Sequence, residues 1–439
     1  MTCKGQNDMM QPWFPEAKLG IFIHWGIYAV EGTAESWAIF SKERTYESYM
    51  NQRHGFTAAK YDPVAWADLF KRAGAKYAVL TSKHHDGMAL WDTQVSDMNV
   101  VKQTPAQRDL IAPYALALRE AGLKVGLYFS HLDWSHPDYA PLPPAERTRD
   151  NFPMPLTDHS NDPYHQFWSE LGPNTPAWQR FRAFHESQLR ELCTKYGKID
   201  ILWFDGEWTP DDDEYWQMPA LVDKLQTWQP NVILNSRLRG LGDFKTPEQG
   251  IPIERPEGVW EFNTTINDSW GYKPNDHNYK SVPQLVRMFA ECIGMGGNML
   301  LDVGPMADGT IPPEQIERLE GLGDWINHHA EAVYGTQAGL PHAYHYGAST
   351  LSKDQQILYL ICFDRPNGQV AVKGIRNDIK SITIQGQPLA YSRMGGAPWI
   401  NLPGVLWIDV PEAALDPIAT VIKIELAGPL DLFTGKAHV

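Results

Sequence analysis

Asp205 stands at the end of a largely apolar run, Lys198-Ile-Asp-Ile-Leu-Trp-Phe-Asp-Gly-Glu-Trp208. The run shows no alternation and has helical patterns on both sides, so it reads as a strand buried on both faces. A carboxylate at that position costs free energy unless it is paired or used. Parallel α/β folds place ligands and catalysis at the C-terminal ends of their strands, where Asp205 falls. Helix N-capping is the plain alternative, but the helical pattern resumes only at about residue 215. Two other carboxylates can partner it. Glu248 lies in Gly242-Asp-Phe-Lys-Thr-Pro-Glu-Gln249, a loop just past the strand ending at Arg237, and Glu261 lies in Val259-Trp-Glu-Phe262. Hydrolysis of a glycosidic bond needs such a pair: one carboxylate attacks or activates water, and the other protonates the leaving oxygen. Arg237 near Asp205 would keep it ionised. A loop carboxylate such as Glu248 can swing over a pocket, lose solvent and serve as acid. Read plainly, Glu248 is a solvated loop charge and Glu261 a substrate-binding or structural carboxylate.

Other polar side chains gather at strand ends: His24, His84, His85, Tyr128, Trp203 and Arg237. Each alone can be structural, but in a barrel these ends converge on one pocket. Zinc binding by His24 with His84-His85-Asp86 is the first rival. Neighbouring strand residues face opposite sides, and neither HExxH nor HxH spacing occurs. A serine nucleophile lacks its GxSxG elbow, and no cysteine falls at a strand end. No metal and no cofactor is expected.

These residues need a frame. Strand patterns at 20–26, 77–82, 124–130, 199–205, 231–237, 259–265 and 298–304 alternate with helical patterns at 62–74, 111–121, 177–196, 216–228, 282–295 and 313–334. Such alternation gives a parallel sheet with right-handed crossovers. With this many units, an α/β (β/α)8-like TIM barrel fits better than an open sheet. The count falls short of eight, so one unit is expected to be missing or irregular. No Gly-rich phosphate fingerprint follows the first strand, which weighs against dinucleotide binding. The stretch 135–175, rich in Pro, Asp, Asn and His, reads as a lid or flexible loop. Beyond 335, short strand patterns at 356–362, 369–372, 380–384, 405–410 and 420–426 read as a C-terminal all-β sandwich. The expected division is 1–336 for the barrel and 337–439 for the sandwich.

The 439 residues suit one large domain and one smaller one. A formal charge of −15 disfavours nucleic acid and anionic membranes as partners and favours a neutral or cationic substrate. No run of about 18 apolar residues is present, so no membrane span is expected. Residues 1–15 lack the apolar core of a secretory signal. A cytoplasmic protein is expected, or a periplasmic or secreted one if a signal has been trimmed. Cys3, Cys193, Cys292 and Cys362 form no CxxC pair and read as buried free thiols. Seventeen Trp and 18 Tyr suit sugar stacking and bulky barrel packing alike. A homo-oligomer, with a neighbouring protomer completing the pocket, is compatible with the sequence.

The order of motifs resembles the α-L-fucosidases of glycoside hydrolase family 29. The stretches that carry the resemblance are Trp13-Phe-Pro-Glu-Ala-Lys-Leu-Gly-Ile-Phe-Ile-His-Trp-Gly26, Tyr77-Ala-Val-Leu-Thr-Ser-Lys-His-His-Asp-Gly87, Gly126-Leu-Tyr-Phe-Ser130, Asp200-Ile-Leu-Trp-Phe-Asp-Gly206, Ser269-Trp-Gly-Tyr272 and Gly296-Gly-Asn-Met-Leu-Leu-Asp-Val-Gly-Pro305. They span the whole barrel; the C-terminal region is similar only in kind. The resemblance implies metal-free, retaining, exo-acting hydrolysis of terminal α-L-fucose from a fucosylated oligosaccharide or glycan. It implies Asp205 as nucleophile and Glu248 as acid/base, preferred to Glu261. It implies fucose binding by His24, His84, His85, Tyr128, Trp203, Arg237 and Trp270. Members usually carry an adjacent Glu-Trp pair in the first loop. Here it reads Glu35-Ser-Trp37, so the substrate-binding roles implied for Glu35 and Trp37 meet a departure in spacing. The C6 methyl of fucose wants an apolar wall, to which Trp270 and Trp203 are suited.

Overall fold

The computed structural model describes residues 10–41, 43–139, 172–207, 214–364 and 366–435. The expected loop at 135–175 lies outside these residues over 140–171. Strands β1 (Leu19–Ile23), β2 (Tyr77–Lys83), β3 (Lys124–Ser130), β4 (Ile201–Asp205), β5 (Ile233–Leu234), β6 (Glu261–Thr265) and β7 (Asn298–Val303) form one parallel sheet, ordered β5-β4-β3-β2-β1-β7-β6. Apart from β6, whose buried residues are mostly polar, their runs are largely apolar without alternation because both faces are covered. One face meets the helices Pro63–Arg72, Ile111–Ala121, Pro176–Lys195, Met218–Trp228, Val282–Gly294 and Pro313–His328. The other gathers Phe22, Tyr77, Val79, Tyr128, Ile201, Trp203, Ile233, Phe244 and Leu300 into a separate inner core.

Phe244 in that inner core marks where the eighth unit went. Residues 243–249 pass between β5 and β6 and bond to both sides. Ser236 N–H donates to Phe244 O at 2.8 Å, Lys245 N–H to Val259 O at 3.0 Å, Glu261 N–H to Lys245 O at 2.9 Å, and Gln249 N–H to Asn263 O at 2.9 Å. Single parallel bridges thus close the ring, with no helix between β5 and this segment. The strand read over 231–237 shrinks to two residues for a local reason. The chain turns back at once, and Gly242 packs so tightly that a Cβ there would lie 2.0 Å from the carbonyl oxygen of Asn235. The Asn235 side chain replaces the lost ladder, accepting from Phe204 N–H at 2.8 Å and donating to Phe204 O at 2.9 Å.

Helix starts follow the side chains able to satisfy free amides. Asp62 accepts from Val64 and Ala65, Thr175 accepts from Trp178, and Ser281 forms a reciprocal capping box with Gln284. The helical pattern read through 334 breaks at His329 into Pro313–His328 and Ala330–Val333. Among the described residues, no helix is long and apolar enough to cross a membrane.

The chain then builds two antiparallel sheets. Strands β8 (Thr336–Ala338), β9 (Ala348–Ser352), β10 (Ile357–Cys362), β12 (Ile379–Ile384), β13 (Gln387–Pro388) and β16 (Thr420–Leu426) form one; β11 (Gln369–Lys373), β14 (Tyr391–Met394) and β15 (Val405–Asp409) form the other. Leu358, Leu360, Ile422 and Ile424 of the first share a core with Val370, Val372, Leu406 and Ile408 of the second, which makes a sandwich. β14 escapes the sequence pattern because all four of its residues are exposed and leave no alternation to read. Trp325 Nε1 donates to Ala419 O at 3.0 Å and pins the barrel's last long helix to the sandwich. Cys193, Cys292 and Cys362 are free and buried, as their surroundings suggested.

Candidate active site

The last residues of the strands converge on Asp205. Ser130 pairs in register with Asp205 and Tyr128 with Trp203, so alternate residues of β3 and β4 turn to the barrel axis. Gly206 follows at φ +79°, and a Cβ there would meet Leu132 at 2.6 Å. Only glycine fits both the backbone and the space. Asp205 is thereby held at the rim with 14% of its side chain exposed.

Its carboxylate is well furnished with donors. Arg237 Nη1 donates to Oδ1 at 2.5 Å, Gly206 N–H donates to Oδ1 at 2.9 Å, and Tyr128 OH donates to Oδ2 at 3.1 Å. His85 Nε2 lies 3.8 Å from Oδ2. Burial pushes the carboxyl up, but Arg237, His85 and these hydrogen bonds outweigh it and hold Asp205 below the usual carboxylate range. The Arg237 guanidinium also lies over the Trp203 ring, 4.8 Å from its centroid. Its Nη2 donates to Glu248 Oε2 at 2.5 Å. One guanidinium therefore joins the strand carboxylate to the carboxylate of the closing segment. Glu248 is 40% exposed.

Glu261 is placed differently. It opens β6, low in the barrel, and is fully buried. Trp203 Nε1 donates to Oε1 at 2.9 Å, and Tyr77 OH donates to Oε2. Burial raises its carboxyl to about 7 against those two hydrogen bonds.

The three candidate histidines each have Nδ1 engaged. His24 meets Asp302 Oδ1 at 2.7 Å, His84 meets Ser36 Oγ at 2.6 Å, and His85 meets Ser130 Oγ at 2.6 Å. Burial pushes His24 down to about 3 and holds the Asp302 carboxyl well above the usual carboxylate range. His84 stacks on Tyr128 with ring planes 8° apart, and Tyr128 stacks on Trp203 at 21°. Trp270 completes the wall, half-buried against His24 (5.0 Å) and Phe22 (6.1 Å).

The first loop shows what the extra serine does. Trp37 sets its edge against His85 at 5.4 Å, so it reaches the pocket. Glu35 is buried at φ +22°, and its carboxylate accepts from Gly271 N–H at 2.5 Å. It therefore holds the loop that carries Trp270. Burial raises it to about 7. Ser36 between them orients His84 and also accepts from Asp86 N–H at 3.0 Å. Asp302, Ser36, Ser130 and Asn235 are the partners that sequence reasoning passed over. Ser130, Asn235 and Asp302 carried a signal, as polar residues inside strand-like runs, and Ser36 carried none.

Of the twelve proposed binding residues and carboxylates, eleven lie in or around this barrel mouth, and Glu261 lies beneath it. The Alpha-L-fucosidase family model matches residues 2–331. Tissue alpha-L-fucosidase of Bos taurus is 32% identical over 352 residues, covering 74% of this chain and 69% of that protein. Plasma alpha-L-fucosidase of Homo sapiens is 31% identical over 353 residues, again 74% and 69%. Alpha-L-fucosidase isoenzyme 1 from Paenibacillus thiaminolyticus superposes with a TM-score of 0.80 at 34% identity, covering 94% of this chain and 98% of that one. The Thermotoga maritima alpha-fucosidase solved with a mechanism-based inhibitor gives 0.75 at 32%, covering 94% and 96%. With its barrel, its motifs and these relatives in agreement, the chain belongs to the alpha-L-fucosidase family of glycoside hydrolases.

Proposed function

We propose that this enzyme removes terminal α-L-fucose from fucosylated oligosaccharides or glycoconjugates with retention of configuration, using Asp205 as nucleophile and Glu248 as acid/base. The observation that carries the reading is the Arg237 bridge, with 2.5 Å contacts to both carboxylates. It suits the close carboxyl spacing of about 5–5.5 Å that double displacement uses, rather than the wider gap that admits a water first.

Asp205 attacks the anomeric carbon as the bond to the aglycone oxygen breaks, and Glu248 delivers its proton to that oxygen. Glu248 then takes a proton from water as the water displaces Asp205 and frees fucose. The donors on Asp205 keep it ionised for attack. The exposed side chain of Glu248 can exchange its proton with solvent between steps. His24, His84 and His85 turn their Nε2 atoms to the sugar hydroxyls, and Trp270 with Trp203 faces the C6 methyl. Glu261 braces Trp203 from below. The carboxylate of Glu35 acts through the Trp270 loop, and Trp37 forms the rim beside His85.

Proton NMR of the first product formed from an aryl α-L-fucoside tests this. The α-anomer is expected to appear before mutarotation, and Asp205→Gly is expected to abolish turnover. A β-anomer as first product, or an aryl galactoside hydrolysed in preference, contradicts it.

A further inference from the structure

Behind Asp205 and Arg237 lies a buried histidine pair that the reaction above does not use. His131 follows β3 directly, and its main-chain N–H donates to the carbonyl of Asp205 at 2.8 Å. Its ring lies flat on Phe204, with centroids 4.8 Å apart and planes 8° apart. Nε2 is 3.1 Å from the carbonyl oxygen of Arg237, and Nδ1 is 3.0 Å from Nε2 of His185 on the helix Pro176–Lys195.

Chemistry places the protons. A carbonyl oxygen only accepts, so His131 Nε2 carries the hydrogen. Burial pushes His131 down to about 4 and His185 well below the ordinary imidazole range, so both rings are neutral. A neutral ring with Nε2–H has a bare Nδ1, so His185 Nε2 must donate to it. The chain of bonds has one direction: from His185 to His131 to the main chain of Arg237.

We infer that His131 is a positioning residue that fixes Arg237 relative to Asp205, and that His185 holds it in the tautomer this requires. The inference rests on the reading of Asp205 and Glu248 as the reacting carboxylates. His131 spans the end of β4 and the turn after β5. Its amide ties the main chain of Asp205, and its ring ties that of Arg237. Phenylalanine would fill the stack on Phe204 equally well, so the ring nitrogens carry the role. A displacement of about 1 Å in such a frame costs on the order of 10²-fold in rate.

Three variants of the full chain, assayed with an aryl α-L-fucoside, test this. His131→Phe keeps the stack and the amide but loses both ring bonds. His185→Phe removes the donor to Nδ1, and His185→Gln returns an N–H donor. The kcat/KM of His131→Phe is expected to fall on the order of 10²-fold, mostly in kcat. Its acidic limb is expected to move to higher pH as Asp205 loses part of the field of Arg237. Asp205 also faces His24 just past β1, His85 just past β2, Tyr128 from β3, Glu207 two residues on and His131 itself, and His131 faces Lys83 and Arg239; apart from the ring of His131, which both His185 variants keep, these groups are the same in all variants. His185→Phe is expected to shift the same way, and His185→Gln to recover. An unmoved limb with near-wild-type kcat in His131→Phe overturns the proposal, as does equal loss in both His185 variants. If His131→Phe does not fold, the His185 pair decides alone. Asp205→Gly, run alongside, separates the two readings. If it is active, the assignment of the site fails; if it is inactive while the histidine variants behave as wild type, only this proposal fails.

Discussion

Trp203 donates its Nε1 hydrogen to Glu261 at 2.9 Å, deep in the barrel, while Arg237 lies over the face of the same ring, 4.8 Å from its centroid. With Tyr77 on the other oxygen, both oxygens of the Glu261 carboxyl are occupied. Its place is below the aromatic floor of the pocket, and its effect on the enzyme should be on folding more than on chemistry.

That placement makes stability depend on pH. Burial raises Glu261 to about 7 from an ordinary 4.5, so the folded protein holds this proton more tightly than the unfolded chain. The stabilisation is complete below the unfolded value and is lost as pH rises through about 7. Glu261→Gln removes the titration. In thermal melts from about pH 5 to 8, the wild-type Tm should fall relative to that of Glu261→Gln. A gap that stays constant with pH contradicts this. Glu35, also raised to about 7, is present in both proteins and cancels.

Tyr128 tests the nucleophile's surroundings. Its hydroxyl supplies one of the hydrogen bonds to Asp205, while its ring is held by His84 and Trp203. Tyr128→Phe keeps the stack and loses the bond. A hydrogen bond to a charged group is worth about 1.5–3 kcal/mol, so kcat/KM should fall by roughly 10- to 100-fold, with Tm little changed. Full activity would show that the bond does not serve the reaction.

Ser36 tests the departure in the first loop. It is buried, orients His84 and caps Asp86 N–H. Ser36→Ala leaves His84 free to turn. KM for an aryl fucoside should rise several-fold, on the scale of one neutral hydrogen bond of about 1 kcal/mol, while kcat changes less. A fall in kcat at constant KM would place His84 in the chemical step instead.

The sequence made the barrel legible wherever strands were buried on both faces and bounded by helices, as at β1 to β4 and β7. It hid the closing segment, because 243–249 makes single bridges and no continuous ladder, and because β5 hands its pairing to the Asn235 side chain. Asp205 and the histidines were readable because each ends an apolar run. Their partners were not, since Ser36, Ser130 and Asp302 reach the site through contacts between elements far apart in the chain. The same holds for Glu261, whose burial comes from Tyr77 and Trp203 on other strands.

The pairing of Asp205 with Glu248 is tested most directly by azide rescue of Glu248→Ala and Glu261→Ala on an activated aryl α-L-fucoside. Azide should restore turnover of Glu248→Ala and yield α-L-fucosyl azide by attack on the fucosyl-enzyme, while Glu261→Ala gives no azide product. Rescue of Glu261→Ala, with Glu248→Ala unresponsive, would contradict the assignment.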